Sequence, residues 1–253
     1  MRASAIGLYA AAFLAGCDAP PGRPVIDGAS VYGLVPEAGD PRLRLLVTDD
    51  DGHELLAATL PEVRTGNVRV FATATRCVDL LRSQSGWSSD TVTAMACRDL
   101  RAVPELSLPG ELRVRPVVRH DGEHGRGVAL EDAVAAAKSA APSIAEPADA
   151  LAEYLRALPP GYRLFAAIDG EGRVRATAGS GVFGHHALVI FVNTDPAWRR
   201  RGVGHAMTAH ALRAAKLQGA SEACVDASAA GRSIYRRLGF EPAGTLRRFR
   251  RTD

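Results

Sequence analysis

Val192-Asn193-Thr194-Asp195-Pro196-Ala197-Trp198-Arg199-Arg200-Arg201-Gly202-Val203-Gly204 is the stretch on which the fold turns. The run that leads into it, residues 187–194 (ALVIFVNT), is almost continuously apolar, as a strand covered on both faces should be. The run that leaves it places Val203, Met207, Ala211 and Ala214 on one helical face and continues to about Gln218, with Gly219 as the stop. A buried strand, a turn of arginines and glycines, and a helix therefore follow one another. The first turn of a helix carries free N–H groups and the positive end of the peptide dipoles. Glycines let a bulky diphosphate reach that backbone without a Cβ in the way. The bland alternative is a surface turn with solvated arginines. The strand–turn–helix context, both glycines and the local charge together favour an anion site. Two other phosphate motifs do not fit. The chain has no G-x-x-x-x-G-K-[ST], and a dinucleotide fingerprint would need glycine where Met207 stands.

Working outward, residues 112–118 alternate as a strand, and residues 128–141 and 147–158 read as two helices, the second ending before Pro159-Pro160-Gly161. Residues 163–169 and 174–183 flank Asp169-Gly170-Glu171-Gly172 and read as a hairpin. Residues 222–228 form another buried strand, 230–238 a helix closed by Gly239, and 240–250 one or two final strands. The order is β-α-α-β-β-β-α-β-α-β.

Two motifs on this frame carry a family resemblance. Arg199-x-x-Gly202-x-Gly204 is similar to the R/Q-x-x-G-x-G/A signature of the GNAT acyltransferases, and Val192-x-Thr194-x-Pro196 loosely matches its lead-in. Ser233-Ile234-Tyr235-Arg236-Arg237-Leu238-Gly239-Phe240 resembles the family's last helix. The resemblance covers residues 112–253. It implies an α/β fold with a mixed sheet and acetyl-CoA as acyl donor. By position, Val192, Asn193 and Thr194 would line the pantetheine arm. Arg199, Arg200, Arg201, Gly202, Val203, Gly204 and His205 would cradle the pyrophosphate. Tyr235 corresponds to the tyrosine that often protonates the departing thiolate, although it would serve equally as a packing anchor beside Ile234 and Leu238. Two departures stand out: Ser228 occupies a position that is often Asn, and Arg236-Arg237 replaces an acidic–basic pair. His185, His186 and Asp226 lie near strand ends as candidate bases, each with an ordinary structural role as its alternative.

The remaining sequence bounds the reading. The chain has 253 residues, 47% hydrophobic and 23% charged, so it is globular in composition. Its net charge of +3 and the short run Arg247 to Arg251, with Phe249 as its one aromatic, do not nominate nucleic acid. Four cysteines (Cys17, Cys77, Cys97, Cys224) lack C-x-x-C spacing, and no Cys/His set has zinc-like spacing, so no metal is expected. His120 and His124 sit in a Gly-rich loop. The thiols read as reduced and the compartment as cytoplasmic. Residues 1–17 admit two readings, a helix and a secretory or lipoprotein signal ending at Cys17.

Residues 1–111 read as a smaller α/β domain, with strands near 31–35, 43–48, 68–74 and 91–97, a short helix at 78–83, and no catalytic motif. A degenerate GNAT-like repeat is one account of it, with the role of shaping the acceptor site or making a homodimer contact. The function expected is transfer of acetyl from acetyl-CoA to a primary amine of a small molecule or peptide. The alternative is an acyl-CoA-binding sensor without turnover. Neither nucleic acid nor membrane is an expected partner.

Overall fold

The computed structural model describes residues 6–7, 9–10, 25–27, 30–34, 42–63, 65–120, 127–141, 147–158 and 160–251. Cys17, His124 and most of the segment 1–17 lie outside these residues. Two compact units form. The first comprises the chain up to Ala96, Cys224–Ser233 and the chain from Glu241 onward; the second comprises Cys97–Ala223 and Ile234–Phe240. This division and a cut at 111/112 are different partitions, because the last strand belongs to the first unit.

In the first unit, β1 (Val25–Asp27), β2 (Val31–Leu34) and β3 (Arg42–Val47) form an antiparallel meander. β3 then pairs parallel with β4 (Thr65–Phe71). A parallel pair needs a crossover, and α1 (His53–Thr59) supplies it. Residues 53–59, HELLAAT, gave no clear sequence signal because only Leu56 of the helix is buried. α2 (Thr75–Ser83) buries Cys77, Val78 and Leu81 and leads to β5 (Trp87–Cys97). The last strand, β12 (Glu241–Arg251), lies between β4 and β5 and pairs antiparallel with both. Its Phe249 is 1% exposed and joins a core of Leu45, Val47, Val68, Val70 and Leu81. The C-terminal segment is thus one strand, not two, and it completes the sheet of the N-terminal residues.

The second unit has the strand order β10-β9-β8-β6-β7. These strands are β6 (Arg113–Val118), β7 (Val128–Ala129), β8 (Tyr162–Ile168), β9 (Val174–Phe183) and β10 (His186–Thr194). The β8–β9 hairpin closes as the sequence predicts, with Gly172 at φ 79°. Strand alternation sorts side chains to two faces. Leu164 and Ala166 pack with α3 (Leu130–Ala140) and α4 (Ala148–Arg156) on one side. Ala167, Ala176 and Ala178 meet Val203, Met207 and Ala211 of α5 (Val203–Leu217) on the other. The small residues of β9 let that helix lie close to the sheet. Arg119, 8% exposed, donates to the carbonyls of Leu155 and Leu158 and so satisfies the C-terminal end of α4. β11 (Glu222–Ala227) and α6 (Arg232–Arg237) each begin in one unit and end in the other. Among the described residues, no helix is long and apolar enough to cross a membrane.

Candidate active site

β10 is not regular. Ile190 pairs with Gly179 and Asn193 with Thr177, so Phe191 and Val192 together oppose Ala178. This is a β-bulge, which re-aims backbone groups and ends the local ladder. Phe191 sits at φ 56°, a conformation that an aromatic L-residue adopts only when its surroundings impose it. The imposing group is Thr177, 1% exposed, whose hydroxyl donates to the Phe191 carbonyl at 2.8 Å. The Asn193 amide donates in turn to the Thr177 oxygen at 3.4 Å. Val192 packs with Trp198 against the α5 core.

Past the strand, Asp195 accepts from the Ala197 N–H at 2.9 Å and caps a short 3₁₀ turn, Pro196–Trp198. Its other carboxylate oxygen binds Arg175 at 2.8 Å, and Arg175 reaches Asp169 at 2.7 Å. The Arg175 guanidinium holds the Asp169 carboxyl below its usual range. These three residues fix the turn to the β8–β9 hairpin; their separation in sequence hid them from motif reading.

The arginines then separate by role. Arg199 donates to the carbonyl of Thr194 at 3.1 Å and to the carbonyl of Ala140 at the end of α3. Its charge is engaged in bracing the loop. Arg200 takes φ 58° and Gly202 φ 81°, two left-handed residues that turn the chain sharply into α5. Arg201 lies over the Trp198 ring, 5.3 Å from its centroid. Among the described residues, no side chain caps the α5 N-terminus. Its first helical bond runs from the Ala206 N–H to the Gly202 carbonyl at 2.9 Å. The amides of Val203, Gly204 and His205 therefore keep the character of an anion-binding helix end. A Cβ at Gly204 would lie 3.0 Å from the Thr194 hydroxyl and 3.2 Å from Ile234, so glycine is needed for the strand end, helix start and α6 to close together. The His205 Nε2 is buried and has no hydrogen-bond partner among the described residues. Burial, and then the Arg237 guanidinium, hold its imidazole below the ordinary histidine value.

Tyr235 is 5% exposed, and its ring meets Phe240 edge to face with centroids 5.7 Å apart. The Phe240 N–H bonds the Tyr235 carbonyl, and Gly239 at φ 84° ends α6. Residues 192–194, 199–205 and Tyr235 all belong to the second unit.

The other candidates fall elsewhere. Asp226 belongs to the first unit and is held in an ion-pair cluster. It accepts from Arg69 at 2.8 Å and from the Tyr9 hydroxyl, and Arg248 lies 3.8 Å away. Burial raises its carboxyl pKa, but Arg69, the Tyr9 hydroxyl and Arg248 outweigh it and hold the group below its usual range. Such a group is a fixed anion and a poor proton acceptor. His185 and His186 stand at the opposite end of β10 from the loop. The late arginines are engaged: Arg248 forms a two-pronged pair with Asp90, Arg250 approaches Asp90 at 3.6 Å, and Arg247 donates to the Thr91 hydroxyl at 2.5 Å. Cys77, Cys97 and Cys224 are buried, and burial pushes the Cys77 thiol up to about 11.

Comparison with known proteins agrees with this fold. Residues 160–242 match the family model described as an acetyltransferase (GNAT) domain. Among solved structures, the chain is similar to a GCN5-related N-acetyltransferase from Kribbella flavida, with a TM-score of 0.60 at 19% identity over 98% of this chain and 96% of that one. It is also similar to one from Sphaerobacter thermophilus, with a TM-score of 0.55 at 15% identity over 88% and 76% of the two chains. A GCN5-related N-acetyltransferase-like protein from Streptococcus suis aligns with a TM-score of 0.52 at 14% identity, over 81% and 79%. At these identities the structures speak for the fold. No curated protein matches the sequence. The bulged strand, the Arg/Gly turn and the uncapped helix lie inside the matched residues, and the chain carries an acetyltransferase domain of the GNAT family, an enzyme domain for acyl transfer.

Proposed function

We propose that the protein is an N-acetyltransferase that moves the acetyl group of acetyl-CoA to a primary amine by direct attack in a ternary complex. The observation that carries this reading is the continuous bulge–turn–helix path from Phe191 to His205, with its left-handed turn and uncapped helix end. The pyrophosphate of the donor would bind the amides of Gly202, Val203, Gly204 and His205, with Arg200 and Arg201 adding charge. Arg199 would act through the loop it braces. Backbone groups of Val192, Asn193 and Thr194 would pair with the pantetheine arm.

In the reaction, the lone pair of a neutral amine attacks the thioester carbonyl carbon. The carbonyl oxygen becomes an oxyanion, and a backbone N–H freed by the bulge would stabilise it. The intermediate collapses with loss of the CoA thiolate. The thiolate takes a proton, for which the Tyr235 phenol is the candidate donor, the amine proton leaves to water, and the phenolate regains a proton from water to close the cycle. The acceptor is a small-molecule or peptide amine. The first unit would make a homodimer contact.

Calorimetric titration with acetyl-CoA tests the donor, beside the Gly204→Glu variant. Binding that disappears in the variant, together with thiol release on adding an amine from a panel, supports the reading. No binding by folded wild-type protein overturns it. Binding without thiol release against any amine would make the domain an acyl-CoA sensor.

A further inference from the structure

The end of β10 away from the acyl loop carries a second cluster. The β9–β10 turn passes through Gly184 at φ 57° and delivers His185 and His186 side by side. Their rings lie 3.9 Å apart at a tilt of 40°. Glu222, the first residue of β11, faces them, with its Oε2 3.4 Å from the His186 Nδ1. One donor atom from each of the three residues falls within 4.8 Å of the other two. All three belong to the second unit.

Two features distinguish this cluster from a chance meeting of polar side chains. The His186 side chain is 14% exposed, and among the described residues its buried Nδ1 has no hydrogen-bond partner even though a carboxylate is close. An unmatched buried imidazole nitrogen is costly, and a bond to a cation would satisfy it. The backbone beneath the cluster is also fixed, since the N–H groups of Ser221 and Glu222 both bond the His185 carbonyl, at 2.9 and 3.2 Å. The donor groups therefore stand on a braced turn and a strand start.

We infer that His185, His186 and Glu222 form a binding site for a divalent transition-metal ion, Zn²⁺ or an ion of similar preference. Two imidazoles and one carboxylate are a donor set for zinc, cobalt or nickel and a poor one for calcium or magnesium, which take oxygen. Zinc bonds of about 2.0–2.2 Å put tetrahedral donors roughly 3.3–3.5 Å apart, so the three must draw together by about 1 Å. His185 is exposed and the Glu222 side chain is 28% exposed, so both can rotate. Water would complete the coordination. Zinc-like spacing is missing from the sequence because the ligands come from a hairpin turn and from a strand 36 residues later, beyond α5. Bound metal would clip the β9–β10 turn to the start of β11. β10 has nine residues, and at about 3.3 Å per residue the cluster lies roughly 26 Å from Thr194. The metal is thus a structural element separate from acyl transfer.

The test uses untagged, chelator-treated protein and Zn²⁺ alone as the probe, read by calorimetry and thermal melting. One ion should bind per chain in the micromolar range or tighter and raise the melting temperature. Co²⁺ should give a visible d–d absorption band. His186→Ala and Glu222→Gln should each weaken Zn²⁺ binding by at least tenfold, and His120→Ala should leave it unchanged. Glu222→Gln sits at the rim of the cluster and keeps the test valid if His186→Ala fails to fold. Acetyl-CoA binding should be the same in all variants. No Zn²⁺ binding by folded wild-type protein overturns the inference, as does equal affinity in both ligand variants.

Discussion

Two arginine clusters of similar appearance in sequence have opposite fates. Arg199 to Arg201 occupy a turn in which, among the described residues, Arg199 is tied to backbone carbonyls, while Arg201 lies over Trp198 beside a helix end that no described side chain caps. Arg247, Arg248 and Arg250 lie on β12, where Asp90 and Thr91 of the neighbouring strand engage them. The first cluster keeps positive potential available to a ligand, and the second spends its charge within the sheet. A run of arginines therefore says little until the residues across the strand are known.

The sharpest way to break this contrast is Gly204→Glu, which places a carboxylate and a Cβ at the crowded start of α5. Calorimetry should show acetyl-CoA affinity falling at least 100-fold. Asp226→Ala attacks the other side of the contrast by leaving Arg69 and Arg248 without their shared carboxylate. Urea unfolding should show a loss of about 3–5 kcal/mol, the usual effect of breaking a buried pair. Because the folded Asp226 carboxyl lies below its usual range, its stabilisation is present above about pH 4 and is lost as pH falls through the folded value. Asp226→Asn should flatten the stability profile in that acid window.

Single arginine substitutions separate the two clusters. Arg201→Ala should weaken acetyl-CoA binding roughly 5–10-fold and reduce its salt dependence, with melting temperature unchanged. Arg248→Ala should do the reverse, with acetyl-CoA binding intact and stability lower by about 0.5–1 kcal/mol. The smallest effect concerns His210, whose ring meets Phe165 at 4.7 Å. Burial, and then Arg213, lower its pKa, so the folded state prefers the neutral ring. Stability should be full above about pH 7 and decline as pH falls below the unfolded value near 6.5. His210→Phe should remove that decline in urea titrations at pH 7.5 and about pH 5.5.

The C-terminal half was legible because its elements announce themselves locally. Apolar runs mark β10 and β11, a stripe at helical spacing marks α5, and Gly172, Gly219 and Gly239 mark the turns at φ 79°, 99° and 84°. The site residues were legible where loop and helix end share one contiguous motif. Thr177 was not, because its hydrogen bond to Phe191 depends on strand register, which no single stretch encodes. Arg175, Asp169 and Asp195 were missed for the same reason. The separate roles of Arg199 and Arg201 depend on Ala140 and Trp198, one distant and one near. The placement of β12 between β4 and β5 is the largest surprise. Its alternating pattern identifies a strand, but nothing in 240–251 names the sheet it will join.

That placement has a consequence for how the chain is made. β4 and β5 emerge from the ribosome early, yet the strand that lies between them is synthesised after every other described element. During translation the N-terminal unit must wait with two strand edges unpaired, and exposed edges invite wrong partners. The second unit ends at Phe240 and can close first. The first unit therefore stays open until residues 241–251 have been made, although most of its strands leave the ribosome before those of the second.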